Sequence, residues 1–395
     1  MTTEANSQLI PDVPAAVPAV PDLPVVQNWK LKNADRPRHS ITEYPLYTDS
    51  HLTGQIHRED WPYAFLNTIP GGAEPGLVQH SCTLRVEEYI HSSVPDFSET
   101  NDSLYHGGLL QDEIAALASL CLGGRVKAGG MSRIFETLTK DPLGLPMVWD
   151  FKRPPYLTVN KNHLILPDVT GTHSLDELMR LKSLPSLNAQ QSIALVRAAR
   201  FYQDALWIVE SEPSLAWLML VSALETAANH WRTEHGTAPE RLADSRPELA
   251  AGLRECGGDT LVQFVAEQIE HTLGATKKFI DFTLEFLPSP PPSRPIECDQ
   301  ISWTRASMKK LLGTVYNYRS NALHGGTPFP APMCDPPSKF DVSVGYSEIG
   351  TTALAVSSYG GVWKAKDLPI NLHAFHYIVR GALLGWWEMM EREPQ

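Results

Sequence analysis

The stretch WTRASMKKLLGTVYNYRSNALHGG, Trp303 to Gly326, decides how the C-terminal half of this 395-residue chain is read. Met308, Leu311, Leu312, Val315, Ala322 and Leu323 recur at three- and four-residue spacings, the stripe of an amphipathic helix. Arg319 stands seven residues beyond Leu312 on that stripe, where an apolar residue is expected. His324 follows at the end, and Gly325-Gly326 supply residues able to turn left-handed and stop a helix. One rigid element thus carries an arginine on its packing face and a histidine at its exit. Met308, Leu311, Leu312 and Val315 are expected inside a bundle, with Tyr316, Arg319, Ser320 and His324 turned outward into a cleft.

Working outward, the preceding segments read as further helices. Asn188 to Glu210 is one, and Ser214 to Trp231 is the next, capped by Ser214 after Pro213. In the latter, Trp217, Val221, Leu224, Ala228 and Trp231 step by four and three and line a core, while Leu218, Ser222, Glu225 and Asn229 share a more polar face. Weaker helices are expected at Leu261 to Thr272 and Ala275 to Phe286, followed by the break PSPPPSRP. Beyond His324 lies an insertion, about 327–370, rich in Pro, Gly and Ser, with a strand-like TTALAVSS. The last helix, Leu372 to Met390, sets Phe375, Val379, Leu383 and Trp386 on one face. His373 and His376 make H-x2-H, but with no further ligand in view they are not read as a metal pair.

Arg319 and His324 spell R-x4-H at a helix end before a double glycine, and Glu225 sits upstream in LVSALETAANHW. This pattern resembles the signature of the HEPN superfamily, more narrowly an Apea-like HEPN domain, over residues 187–391. Ser320 follows the arginine where such proteins often carry Asn, Asp or His, and Asn321 comes one later. The resemblance implies an all-α bundle and a metal-independent endoribonuclease without cofactor. It also implies a homodimer in which two copies of this helix face each other. The settings it admits are defence against phage, a toxin system or housekeeping.

The residue types suit that chemistry. A 2′-hydroxyl attacks the neighbouring phosphate if a base takes its proton and a cation steadies the developing charge. Histidine, with an ordinary pKa of about 6.5, can accept and donate protons near neutrality. Arginine offers a permanently charged planar fork matched to phosphate oxygens. Arg319 and His324 are therefore the candidate catalytic pair, yielding a 2′,3′-cyclic phosphate and a 5′-hydroxyl. Asn321, one turn before His324, would orient it or the phosphate, with Ser320 beside it, and Glu225 would hold Arg319 or His324. The alternative is a non-catalytic HEPN scaffold binding nucleotide, RNA or a protein partner. There Arg319 pairs with Glu225 to keep two helices in register, and His324 caps a helix.

Length and composition bound the rest. A chain of 395 residues implies two domains plus tails. Its net charge of −12 excludes coating nucleic acid by bulk charge, so any RNA contact is local. The stretch from Ile301 to Pro330 is suited to it, holding Arg305, Lys309, Lys310 and Arg319 and no acid. Arg305, Lys309, Lys310 and Tyr316 are the candidate RNA-binding residues; the lysines are read equally well as a solvated helix face. Five dispersed cysteines make neither a C-x2-C pair nor a disulfide framework. MTTEANSQLI has no basic start or apolar core of a signal peptide, and no membrane-spanning run occurs, so a reducing cytoplasm is expected.

Residues 1–27 are proline-spaced and read as a disordered or polyproline-like tail. Residues 28–176 read as a small α+β domain expected to sense a trigger, bind a partner or restrain the nuclease. Its expected elements are a strand in Gly76 to Ile90, a helix at Leu109 to Gly124, and two strand-like runs in PPYLTVNKNHLILPDV about an Asn160-Lys161-Asn162 turn. GGRVKAGGMSR, Gly123 to Arg133, lacks the order of a phosphate loop and reads as a helix cap and turn. His51, His57, His80, His91 and His106 are scattered and read as surface or cap residues. A linker is expected at 171–185.

Overall fold

Residues 21–68, 72–90, 97–136, 141–147, 152–231, 237–269, 274–339, 344–351 and 353–392 are described by a computed structural model. Residues 1–20 of the expected tail lie outside them, but its last residues are not a tail. Helix α1 (Pro24–Asn33) opens with a proline at its first turn and buries Val25, Val26, Asn28 and Trp29. A proline there forfeits only an N–H that has no helical partner, so the residue that suggested disorder starts a helix instead. Trp29 packs against Trp61 and Tyr63, with ring centroids 5.1 and 5.4 Å apart.

Strand β1 (Ser40–Thr48) alternates buried and half-buried residues along its length, the period of a sheet with one face in the core. β2 (His51–Thr53), β3 (Tyr63–Asn67) and β4 (Gln79–Glu88) follow, the last inside the stretch expected to be a strand. β1 and β4 pair antiparallel from Ser40↔Glu88 to Thr48↔Gln79. Helix α2 (Leu110–Leu122) is then buried on nearly every side, and Gly123, with φ +70°, stops it in the left-handed region. Three short strands, β5 (Lys127–Ala128), β6 (Arg133–Glu136) and β7 (Leu145–Pro146), complete a sheet of order β3-β4-β1-β6-β7, with β5 also on β1.

Two expectations for this half are corrected. Residues 154–169 form no strand; the turn at Asn160 is present, with His163 N–H donating to its carbonyl at 2.9 Å, but the flanking residues run irregularly. The linker at 171–185 is ordered structure. β8 (Thr172–Ser174) pairs parallel with β2, and Leu175–Ser186 winds as a run of 3-10 turns. Leu175, Leu178, Leu181 and Leu184 are all buried. Leucines three residues apart line one face of a helix with three residues per turn, which is why a 3.6-residue template misses them.

The C-terminal half is predominantly helical. Helices α3 (Ala189–Ile208) and α4 (Pro213–Trp231) pack along each other, as their apolar spacing requires. α5 (Ala238–Ser245) and α6 (Pro247–Gln268) close a small core of their own around Leu242 and Val262. α6 is longer than the expected helix and kinks at Gly257-Gly258. α7 (Ala275–Glu285), α8 (Arg305–His324), the short α9 (Ala331–Cys334), a hairpin of β9 (Ala355–Ser358) and β10 (Gly361–Lys364), and α10 (Leu372–Arg392) complete the chain. Trp217 of α4 stacks between Phe329 and Phe375, at 5.0 and 4.6 Å, so the segment after α8 and the start of α10 are pinned to α4. No helix among the described residues is long and apolar enough to cross a membrane.

One buried cluster takes in residues from Leu23 to Met390, and two arginines join the sheet-containing region to the helices. Arg125, from the glycine-rich stretch after α2, is fully buried. Its guanidinium donates to Asp49 Oδ2, Thr170 Oγ1 and Glu210 Oε1 at 3.0 Å each and to the Leu206 carbonyl at 2.7 Å. A buried cation is tolerable only with this degree of pairing. Arg380 of α10 donates to the carbonyls of Leu120 and Cys121, two of the orphan acceptors in the last turn of α2. A Cβ on Gly123 would stand 2.8 Å from that guanidinium, so the glycine serves the cap and the crossing together.

Candidate active site at the end of α8

Met308, Leu311, Leu312 and Val315 of α8 are buried against the bundle, as their spacing requires. Thr304 caps the helix, accepting from Ser307 N–H, and Gly325 ends it, donating to the Asn321 carbonyl at 2.8 Å. The last turn runs past the packed part of the bundle. Ala322 is half-buried, while Leu323, expected on the packing face, is 50% exposed. Asn321 and His324 are exposed, and Ser320 is half-buried.

Arg319 turns back to α4. Its Nη2 donates to Glu225 Oε2 at 2.8 Å, with side chains only 21% and 16% exposed. The other carboxylate oxygen, Oε1, accepts the Tyr316 hydroxyl at 2.9 Å. The guanidinium carbon lies 5.5 Å from the centre of the Tyr316 ring, a cation–π arrangement. Phe279 of α7 supports that ring at 5.2 Å. Tyr316, expected to face a cleft and touch RNA, is therefore buried between α7, α4 and the arginine. Four residues beyond Leu312, it continues the packing stripe, which is the spacing that places it inside. Burial and the Glu225 carboxylate push its hydroxyl up to about 12, so it stays a donor throughout the neutral range.

Arg319 and His324 are brought to one helix end but not to one point. Five residues place them about 140° apart around the axis and about 7.5 Å along it. The His324 side chain has no hydrogen-bond or ionic partner among the described residues, and Asn321 meets it only by position. Lys310, Asn317, Asn321 and His324 instead share an exposed stripe about 21 Å long, at spacings of seven, four and three. Lys309 is exposed beside it. Arg305 stands about 28 Å from His324 at the other end of α8, where its Nη1 donates to the Leu284 carbonyl at 3.2 Å. The basic residues thus mark a helix length, and Arg305 cannot share a phosphate with His324.

Other polar groups that sequence reasoning set aside are held inside the protein. His106, expected at the surface, is 4% exposed and faces Glu113 Oε1 at 2.7 Å. Glu113 Oε2 accepts Val25 N–H at 2.8 Å and so caps α1. His91 lies outside the described residues. His373 approaches Asp168 at 3.4 Å, and buried His376 faces the Tyr202 hydroxyl at 2.7 Å. With Tyr377 and Arg380 they give α10 a polar stripe beside a cavity of about 540 Å³ that Pro291 and Tyr346 also line. Burial holds the His376 imidazole well below its ordinary pKa, helped by His373, Arg380 and Arg125. Among the described residues no group of three or more His, Cys, Asp or Glu side chains is placed to hold a metal ion.

No family model, no characterised protein and no solved structure matches this chain.

Proposed function

We propose that the chain is a metal-independent endoribonuclease of HEPN type, acting at the end of α8. The observation that carries this reading is that an exposed His324 shares a helix end with an Arg319 that Glu225 holds through Nη2 alone, with no partner for Nη1 among the described residues. His324 removes the proton of an RNA 2′-hydroxyl. The resulting oxygen attacks the adjacent phosphorus, and the bond to the 5′-oxygen breaks. Arg319 steadies the charge on the non-bridging oxygens, and a second imidazole protonates the leaving oxygen. Products are a 2′,3′-cyclic phosphate and a 5′-hydroxyl. Because Arg319 and His324 diverge by about 140° within one chain, a second copy is needed to complete the site. A two-fold pair of α8 ends brings two His324 imidazoles to one cleft, as base and acid.

A second reading rests on the same geometry. The Arg319–Glu225–Tyr316 cluster also serves as a register-holding contact between α8 and α4, in a bundle that binds RNA or a protein without cutting it. One experiment separates the two. Purified protein is incubated with a mixed RNA pool in EDTA and the ends are mapped. Cyclic phosphate and 5′-hydroxyl ends that disappear in His324→Ala support the nuclease. Binding without cleavage in both proteins supports the scaffold.

A further inference from the structure

The Arg319–Glu225 contact lacks the arrangement an arginine usually makes with a carboxylate. The planar fork prefers two parallel bonds, one to each carboxylate oxygen. Here Nη2 donates to Oε2, while Oε1 accepts the Tyr316 hydroxyl. Arg319 Nε is buried and has no hydrogen-bond partner among the described residues. A buried orphan donor is costly and uncommon. The tyrosine ring lies under the guanidinium, its centre 5.5 Å from the guanidinium carbon, so one side chain touches both the arginine and its carboxylate partner.

We infer that Tyr316 is a positioning residue for the phosphate-binding arginine: by fixing the Glu225 carboxylate through Oε1 it holds Arg319 in a single-bonded contact through Nη2, with Nη1 left for a phosphodiester. This rests on the nuclease reading of the same site. Without the hydroxyl to fix its orientation, the Glu225 carboxylate can rotate to present both oxygens to Nη2 and Nε, the contact closes into a two-bond fork, and the guanidinium is drawn toward α4. Glu225 then competes with the substrate for the cation. Tyr316 does not touch RNA and exchanges no proton with it.

The competition has a signature that a packing role lacks. Tyr316→Phe keeps the ring, so the fold is retained and α8 stays in place. The expected result is a fall in kcat of about tenfold with KM within about twofold, since the interaction lost is one that matters most in the transition state. In the Tyr316→Phe background, Glu225→Gln removes the competing charge and is expected to recover most of that loss. A purely structural tyrosine gives the opposite pattern, with the double variant no better than either single one. Melting temperatures of all three variants accompany the kinetics, so that a loss through unfolding is seen as such.

Wild-type kcat in Tyr316→Phe, or no recovery in the double variant, overturns the positioning role while cleavage that depends on His324 stands. Absence of cleavage by the wild-type chain, or equal cleavage by His324→Ala, overturns the nuclease reading and the positioning role with it.

Discussion

Arg319 Nη2 lies 2.8 Å from Glu225 Oε2, and this bond joins the last turns of α8 to the middle of α4. Both side chains are mostly shielded from water, so neither is free of structural consequence. Removing the arginine strands a carboxylate that still accepts the Tyr316 hydroxyl. Arg319→Ala is expected to cost about 1–3 kcal/mol of stability, the range for losing a hydrogen bond to a charged group. RNA cleavage is expected to fall by about 10²-fold or more, the scale of losing a preorganised donor to the transition state. Thermal melting and cleavage of one labelled RNA measure the two effects on one sample. A full loss of stability with no cleavage in the parent chain would favour the register-holding role.

His324 offers the cleaner separation. It is exposed and ends its helix. His324→Ala should leave the melting temperature within about 1 °C, since exposed substitutions away from such contacts change stability by less than about 0.5 kcal/mol. Its cleavage is expected to fall by about 10²-fold or more. Parent-level cleavage by the variant would remove the general acid–base role.

The candidate site was legible where spacing alone decides a contact. Met308 to Val315 announce their face, and Glu225 sits on the more polar side of α4 that meets Arg319. Leu323 leaves its stripe exposed because periodicity carries no information about where a bundle ends. Tyr316 lies inside although a tyrosine suits both a core and a cleft, and only the hydroxyl's partner on α4 decides between them. In the first half the difficulty was distance along the chain. Arg125 lies in a stretch whose glycines read as a turn, yet the acids that make its burial tolerable are 76 and 85 residues away. No local window contains them.

Arg125 therefore carries its own prediction. Asp49 and Glu210 are both essentially buried, and Glu210 also accepts Ile165 N–H at 3.0 Å. Arg125→Met fills the space but leaves two carboxylates uncompensated. The expected cost is about 3–5 kcal/mol, the range for breaking a buried pair by removing one partner. Urea unfolding followed by circular dichroism gives the number. A change under about 1 kcal/mol would mean that the network contributes little to the junction it spans.

Stability should also respond to acid through α10. His376 is fully buried against Tyr202, and its pKa is held well below the ordinary value. Burial lowers those of His373 and His173 in the same direction. Below about pH 6.5 the unfolded chain takes up protons on these imidazoles that the folded chain refuses. Stability is therefore complete above that pH and lost as the pH falls through it. Each such histidine contributes a slope of up to about 1.4 kcal/mol per pH unit. Between pH 7.5 and 5.0 the free energy of unfolding should fall, and in His376→Gln it should fall less steeply by about one proton. An unchanged slope would show that His376 is not the group responsible.

The divergence of Arg319 and His324 makes assembly the last test. A single α8 end offers one imidazole, whereas in-line transfer with both a base and an acid needs two proton-transfer groups. A two-fold contact supplies the second by presenting the same patch from another copy. The chain is then expected to be dimeric at micromolar concentration by sedimentation. Co-folding Arg319→Ala with His324→Ala gives a mixed dimer holding one arginine and one histidine. With the second imidazole missing, its cleavage should stay near the level of the single variants. Recovery to about half of the parent activity would mean that one imidazole and one arginine in trans suffice, and the two-histidine cleft would fall. Cleavage by a chain that stays monomeric under assay conditions would defeat the shared site altogether, because the two side chains of one copy point to different sides of α8.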